Sequence, residues 1–343
     1  MTSPKDIDTR LDPRVRIFLH AQPEVAVTDV TNRDELLADV SSPEGRAMLA
    51  AEAAFMDGGD SEDVAPSKGL RFGSIDVRSS PDDNTIFLHV IRPDDDEVRP
   101  CVYYIHGGAM ASLSSTYGSY RAWGRLIAAQ GVVVVMVEFR NAVSPSSVPD
   151  VAPFPAGLED CVSGLRYVHA NAASLGIDAT RIVVSGESGG GNLTIATAMR
   201  LKQIDELHIV KGLYVFCPYI NGAWPDTRYP SSSEYIDFLS DLKSNRGRVG
   251  YGIDAFTARN PLAWPGFATR EDVAGFPPTV ISVNECDPLR DEGVAFYRLL
   301  LSAGVDARGR EALGTMHATE MFPTICPEIS RDTAKELAAF AAE

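Results

Sequence analysis

From residue 69 onward, apolar runs alternate with longer amphipathic stretches. The first two runs, GLRFGSIDVRSS and NTIFLHVIRP, are joined by the turn-rich SPDDN, which predicts an antiparallel pair. The next five, CVYYIH, GVVVVMVEF, RIVVSG, GLYVFCPY and PTVISVN, are continuous Val/Ile/Tyr/Phe segments. Strands with no polar alternation are those buried on both faces, as in a parallel sheet. Between them lie SYRAWGRLIAAQ, FPAGLEDCVSGLRYVHANAASLG, NLTIATAMRLK and RDEGVAFYRLLLSAG, all helix-like. All but NLTIATAMRLK end in or run into a glycine, the residue that suits the turn past a helix C-terminus. The tail SRDTAKELAAFAAE reads as a final helix. This alternation predicts an α/β fold built from crossover units, with a mostly parallel central sheet and helices on both faces.

Two regions break the rhythm. Residues 1–65 hold helix-like pieces, DPRVRIFLHA and NRDELLADVSSPEGRAMLAAEAAF, and no strand. Residues 220–262 interrupt the alternation with polar and aromatic sequence. An interruption of that length is functional or an added subdomain. The two are expected to pack together as a helical cap over the C-terminal edge of the sheet, where ligand sites of open α/β sheets lie. Residues 66–219 and 263–343 then form the core. Two independent surface decorations are the alternative.

Composition narrows the function classes. Of the 343 residues, 45% are apolar and 23% charged, which is ordinary for a globular chain with a sizeable core. The formal charge of -16 comes without any Lys/Arg cluster, which argues against nucleic-acid binding and disfavours anionic substrates. The opening MTSPKDIDTRLDPRVR lacks the apolar segment of a signal peptide. The longest apolar run, VVVVMV at 132–137, is too short to span a bilayer, so neither membrane association nor export is expected. Cys101, Cys161, Cys217, Cys286 and Cys326 are odd in number, widely spaced and without a CxxC. Free thiols in a reducing cytoplasm fit that pattern better than disulfides or a zinc site. No metal or cofactor is expected; a homodimer is left open.

The candidate chemistry centres on GESGGGN, residues 186–192. It offers no lysine for a phosphate loop and does not match the dinucleotide fingerprint G-x-G-x-x-G. It does match G-x-S-x-G, directly after a buried-type strand and directly before a helix, the setting of a strained nucleophile elbow. Ser188 is then the nucleophile, with Gly186 and Gly190 making room for it. Of six histidines, only His208 and His317 follow Ser188, and His208 precedes its strand and so lies at the wrong sheet edge. His317, just past the last strand-like run ARGREAL, is the expected general base. The acid should follow PTVISVN, where Glu285, Asp287, Asp291 and Glu292 compete. Asp287 is assigned to orient His317, and Asp291 to offset the dipole of the next helix. Oxyanion donors are expected from the N–H of Gly189 and from the loop after CVYYIH, through Gly107, Gly108 and Ala109. His106 and Glu187 are expected to be structural. Met110, Tyr219, Trp264 and Met321 are expected to wall the pocket.

HGGAM, GESGGGN, DPLRDEG and the late His317 together resemble the hormone-sensitive-lipase-type carboxylesterases of the α/β-hydrolase fold, and among them the bacterial brefeldin A esterase group. The resemblance covers most of residues 70–343. That family usually carries H-G-G-G and G-D-S-A-G-G; here Ala109, Glu187 and Gly189 depart from it. The resemblance implies oxyanion donors at Gly108, Ala109 and Gly189. It also implies a helical cap made from the N-terminus and an insertion after the sixth strand. The expected activity is hydrolysis of small, short-acyl carboxylic esters through Ser188, His317 and Asp287. The same residues would also serve amides, lactones or other activated acyl groups. A non-catalytic small-molecule binder on this fold is the reading from another class.

Overall fold

The computed structural model describes residues 8–21 and 27–343. After the amino-terminal helices α1 (Pro13–Ala21), α2 (Arg33–Val40) and α3 (Pro43–Asp57) comes the hairpin β1 (Leu70–Arg78) and β2 (Thr85–Pro93). Strand β3 (Arg99–Ile105) leads through α4 (Gly118–Ala128) to β4 (Val133–Glu138), and α5 (Ala156–Ala170) leads to β5 (Ile177–Glu187). Helix α6 (Gly189–Gln203) precedes β6 (Gly212–Phe216), and α7 (Arg246–Thr257) dominates the segment that follows. The chain closes with β7 (Thr279–Cys286), α8 (Arg290–Ser302), β8 (Ala307–Met316) and α9 (Pro327–Ala342). Each strand and helix expected from the apolar pattern is present, and no strand precedes β1 among the described residues.

The strands form one eight-stranded sheet in the order β1-β2-β4-β3-β5-β6-β7-β8. Only the β1–β2 and β2–β4 pairings are antiparallel. Side chains alternate across a strand, so each continuous apolar run feeds two cores. Tyr103, Ile105, Val133, Val135, Val137 and Val184 face the helices α5, α6 and α8. Their neighbours Val102, Tyr104, Val134, Met136 and Val183 face α4 and α9, where Trp123 is wholly buried. That double burial is why these runs carry no polar alternation.

The two irregular regions meet. Leu36 of α2 and Val249 of α7 are buried together with Val30. Asn245 receives the Val30 N–H (2.9 Å) and donates to the Val30 carbonyl (2.8 Å), while its own N–H reaches Asp29 (2.8 Å). Helix α1 instead buries Val15 and Leu19 in a cluster with Tyr235, Cys286 and Met316, at the C-terminal ends of β7 and β8. Within the expected 1–65 segment, residues 1–7 and 22–26 lie outside the described residues. Among the described residues no helix is long and apolar enough to cross a membrane.

Candidate active site

Ser188 joins the last residue of β5 to the first of α6 with φ 57° and ψ −118°, outside the region comfortable for a residue with a Cβ. The cost of that backbone is met by crowding. A Cβ on Gly190 would fall 2.0 Å from the Ile105 carbonyl oxygen, and one on Gly186 2.5 Å from both the Gly190 and Ile105 oxygens. The Ser188 N–H donates to the Phe216 carbonyl (3.0 Å), and the Ser188 carbonyl receives the N–H groups of Asn192 and Tyr219 (both 3.0 Å). The result is one partly exposed residue within an otherwise buried stretch from 182 to 199. Ser188 Oγ makes no hydrogen bond to another described residue.

His317 is also partly exposed, at the loop that follows β8. Its Nδ1 lies 2.7 Å from Asp287 Oδ2, and Asp287 is fully buried at the end of β7. The other carboxylate oxygen of Asp287 accepts the Leu289 N–H at 2.8 Å. Asn284 holds the histidine loop by accepting the Ala318 N–H (3.1 Å) and donating to Thr315 and Glu320 (2.9 Å each). Burial pulls the imidazole towards its neutral form, but the charge and hydrogen bond of Asp287 together with the Cys217 sulfur outweigh that and hold its pKa well above the ordinary histidine value. Cys217, wholly buried at the end of β6, completes the floor: its sulfur, a His317 ring nitrogen and an Asp287 oxygen lie within 4.8 Å of one another.

The loop after β3 bends over the elbow. Gly108, Ala109 and Met110 take φ values of 86°, 55° and 58°, a run of left-handed residues that turns successive N–H groups to one side. A Cβ on Gly189 would lie 2.5 Å from Met110 N and 2.8 Å from Ala109 N, so this loop and the start of α6 are in contact. Gly108, Ala109 and Gly189 donate their N–H groups to no other described residue. Gly107 corrects the sequence expectation. Its N–H is already used, donated to Glu187 Oε1 (2.6 Å) and the Tyr120 hydroxyl (3.1 Å).

Glu187 is the hub that sequence reasoning left without a partner. Besides Gly107 N–H it receives the Tyr120 and Tyr104 hydroxyls, each at 2.5 Å. Burial pushes its carboxyl up to about 7, against the pull of those hydrogen bonds. His106 stacks on Phe139 (centroids 4.3 Å apart), with Nδ1 3.0 Å from the Gly107 oxygen. Burial lowers its pKa, so it is a neutral packing element.

Of the other acids after β7, Asp291 accepts the Ser231 N–H (2.8 Å) in the first turn of α8. Glu292 is buried and accepts from Ile220 N (2.8 Å), Asn221 N (3.1 Å) and Trp224 Nε1 (2.7 Å), fixing the chain that leaves β6. Burial raises its carboxyl to about 8. Only the aromatic and apolar density around 216–224 could have hinted at this role.

The expected pocket walls divide. Tyr219 and Met110 keep 5% and 1% of their surface. Trp264 has none, so in this structure it backs Tyr219 (centroids 5.8 Å apart) and walls no open space. Met321, with 3% of its surface left, lies on the α4/α9 side of the sheet and accepts the Tyr104 hydroxyl on its sulfur at 2.9 Å. Asp241, from the segment between β6 and α7, touches solvent, yet its carboxyl is raised by desolvation and pulled back by the charge of His317. A separate surface cleft of about 460 Å³ between Arg228, Phe256, Arg259 and Phe267 includes neither Ser188 nor His317.

Comparison with known proteins gives the family. Residues 102–321 match the model of a family described by the alpha/beta hydrolase fold. The chain is 30% identical over 246 residues to the carboxylesterase NlhH of Mycobacterium tuberculosis, covering 70% of this chain and 72% of that one. Among solved structures, esterase Est22 superposes with a TM-score of 0.97 at 54% identity over 99% of both chains. Brefeldin A esterase, described as a bacterial homologue of human hormone sensitive lipase, superposes with a TM-score of 0.85 at 35% identity, over 98% of this chain and 94% of that one.

Proposed function

The chain belongs to the hormone-sensitive-lipase-type branch of the α/β-hydrolase family, and from that premise we propose that it hydrolyses small, short-acyl carboxylic esters through an acyl-enzyme on Ser188. The observation that carries the reading is the 2.7 Å contact between His317 Nδ1 and buried Asp287, at the sheet edge where Ser188 stands exposed.

The chemistry follows from the parts. A serine hydroxyl is a weak nucleophile until a base takes its proton. His317 accepts that proton as Ser188 Oγ bonds to the ester carbonyl carbon, and Asp287 keeps Nδ1 protonated and the ring oriented. The negative oxygen of the tetrahedral intermediate meets the N–H groups of Gly108, Ala109 and Gly189, the last at the positive end of α6. His317 then gives its proton to the departing alcohol. Water repeats the sequence on the acyl-enzyme and releases the acid and Ser188. Residues 27–57 and 220–262 act as a cap over this edge, which favours short soluble esters over emulsified fats.

The test is a p-nitrophenyl ester chain-length series on the wild type and Ser188→Ala. Turnover should be highest for short acyl chains and fall by about 10⁴-fold or more in the variant. A variant that kept a tenth of the wild-type rate would remove Ser188 from the mechanism. Asp287→Asn should be as damaging as loss of the correct histidine tautomer, about 10⁴-fold in kcat, while Asp291→Asn should change kcat less than about tenfold. Loss in Asp291→Asn alone would reverse the assignment of the acid. Because the base must be neutral, kcat/KM should fall as pH drops through the His317 pKa; a rate flat from about pH 5 to 8 would count against His317.

A further inference from the structure

We propose that Cys217, Asp287 and His317 form a site for a soft divalent metal ion such as Zn2+, and that filling it switches the enzyme off. The proposal rests on the catalytic reading of His317 given above, but the binding it asserts does not.

Three adjacent strands deliver the ligands: Cys217 follows β6, Asp287 follows β7 and His317 follows β8. Their ligand atoms all lie within 4.8 Å of one another, and among the described residues no other group of histidine, cysteine and carboxylate side chains meets so closely. Thiolate, imidazole and carboxylate are the zinc donors, with metal–ligand bonds of about 2.3 Å to sulfur and about 2.0–2.2 Å to nitrogen and oxygen. A tetrahedral ion therefore asks for ligand atoms roughly 3.3–3.7 Å apart. The 4.8 Å limit accommodates that, and the 2.7 Å His317–Asp287 contact must open by somewhat under an ångström. His317 is able to give that much, because it sits on a loop with 11% of its side chain exposed. Asp287 needs no movement: Leu289 N–H already holds Oδ1 at 2.8 Å, leaving Oδ2 to the ion.

The charges balance. The ion displaces the Cys217 S–H proton to solvent, while the imidazole stays neutral with one proton on whichever ring nitrogen is not bound. The thiolate and the carboxylate then neutralise the two positive charges, which makes a buried ion tolerable. Either ring nitrogen ends catalysis. An ion on Nε2 blocks the nitrogen that must take the Ser188 proton. An ion on Nδ1 moves the ring proton to Nε2, the wrong tautomer. The thiolate sets the selectivity: Zn2+, Cd2+ and Co2+ should bind, whereas Mg2+ and Ca2+, which prefer oxygen ligands, should not.

The experiment is titration of the metal-free protein with Co2+, read by absorbance, alongside Zn2+ inhibition of p-nitrophenyl ester turnover. The proposal expects one equivalent of Co2+ to give a thiolate-to-cobalt charge-transfer band with tetrahedral d–d bands, and Zn2+ to displace it. Cys217→Ser and, as a second variant, Cys217→Ala should lose that band. Each should need at least about tenfold more Zn2+ for half-inhibition, scaled to its own metal-free rate. His317→Ala should also lose the band while keeping the cysteine. Chelation should restore wild-type turnover. The proposal is overturned if Co2+ gives no thiolate band in the wild type, or if Cys217→Ser retains wild-type Zn2+ inhibition. Failure of the esterase reading alone would show as a normal cobalt spectrum on a protein that turns over no ester.

Discussion

Glu187 accepts hydrogen bonds from three donors that lie 67 to 83 positions away, and one of them, the Gly107 N–H, belongs to the loop that carries the proposed oxyanion donors. Glu187→Gln turns an amide N–H2 towards groups that are themselves donors, so the loop should slacken. Loss of a single oxyanion donor costs about 10²–10³ in kcat, and a loosened loop should cost part of that, about 10-fold to 100-fold, with KM little changed. Glu187→Asp, shorter by one methylene, should recover some of the loss; a variant with unaltered kcat would mean the loop holds itself. Glu292 acts on the other side of the elbow. Its carboxyl is raised to about 8 by burial, so the neutral form is the folded form below that pH. Glu292→Gln, a neutral mimic of that acid, should therefore lie closest to the wild type near pH 5 and gain stability relative to it near pH 8, as thermal melts at the two pH values would show.

At the scale of elements, the elbow works because a strand and a helix approach too closely for any side chain at Gly186 or Gly190. Residues 27–57 and 220–262 meet through Leu36 against Val249, the two bonds between the Asn245 side chain and Val30, and the Arg246–Asp39 ion pair. Asn245→Ala removes both of those bonds at a cost of about 1–3 kcal/mol. It should raise KM more than it lowers kcat, and should speed limited proteolysis within residues 27–57; unchanged cleavage would show that the apolar contact and the remaining Asn245 N–H and Arg246 ties hold the two segments without it. The cap also brings charge. Glu52 of α3 is raised by desolvation and by Asp241, and Asp241 is raised by desolvation and lowered by the charge of His317. Asp241→Asn should improve kcat/KM for a monoester carrying a free carboxylate several-fold relative to a neutral ester of the same size. Equal change on both substrates would separate Asp241 from substrate charge.

For the whole molecule, stability should fall from mildly acidic to mildly basic pH. Glu187 and Glu292 have folded values of about 7 and about 8 against an ordinary 4.5. A raised folded pKa gives stability that is full below the unfolded value and lost as pH climbs through the folded one, here between about pH 4.5 and 8. The shifts correspond to roughly 3 and 5 kcal/mol, and the growing self-repulsion of an acidic chain works in the same direction. At the other end, Asp178 and Asp226, held near about 2, withdraw their contribution only below the ordinary aspartate value. Melting temperatures measured across pH 5 to 8.5 should decline; a rise would contradict the buried carboxyls as drawn here. The amino-acid order by itself determined the strands, the helices, the serine turn and the pairing of Asp287 with His317. These are local signals: unbroken apolar runs, glycines around one serine, and a histidine and an aspartate just past successive strands. Only the tertiary structure decided that the Gly107 N–H is already taken, that Trp264 is buried, that Glu187 is a hub and that Cys217 lies beside His317. Those facts depend on the order β4-β3-β5-β6-β7-β8, which sets side by side residues tens to hundreds of positions apart. No periodicity along the chain records which loop ends will share one edge of a sheet.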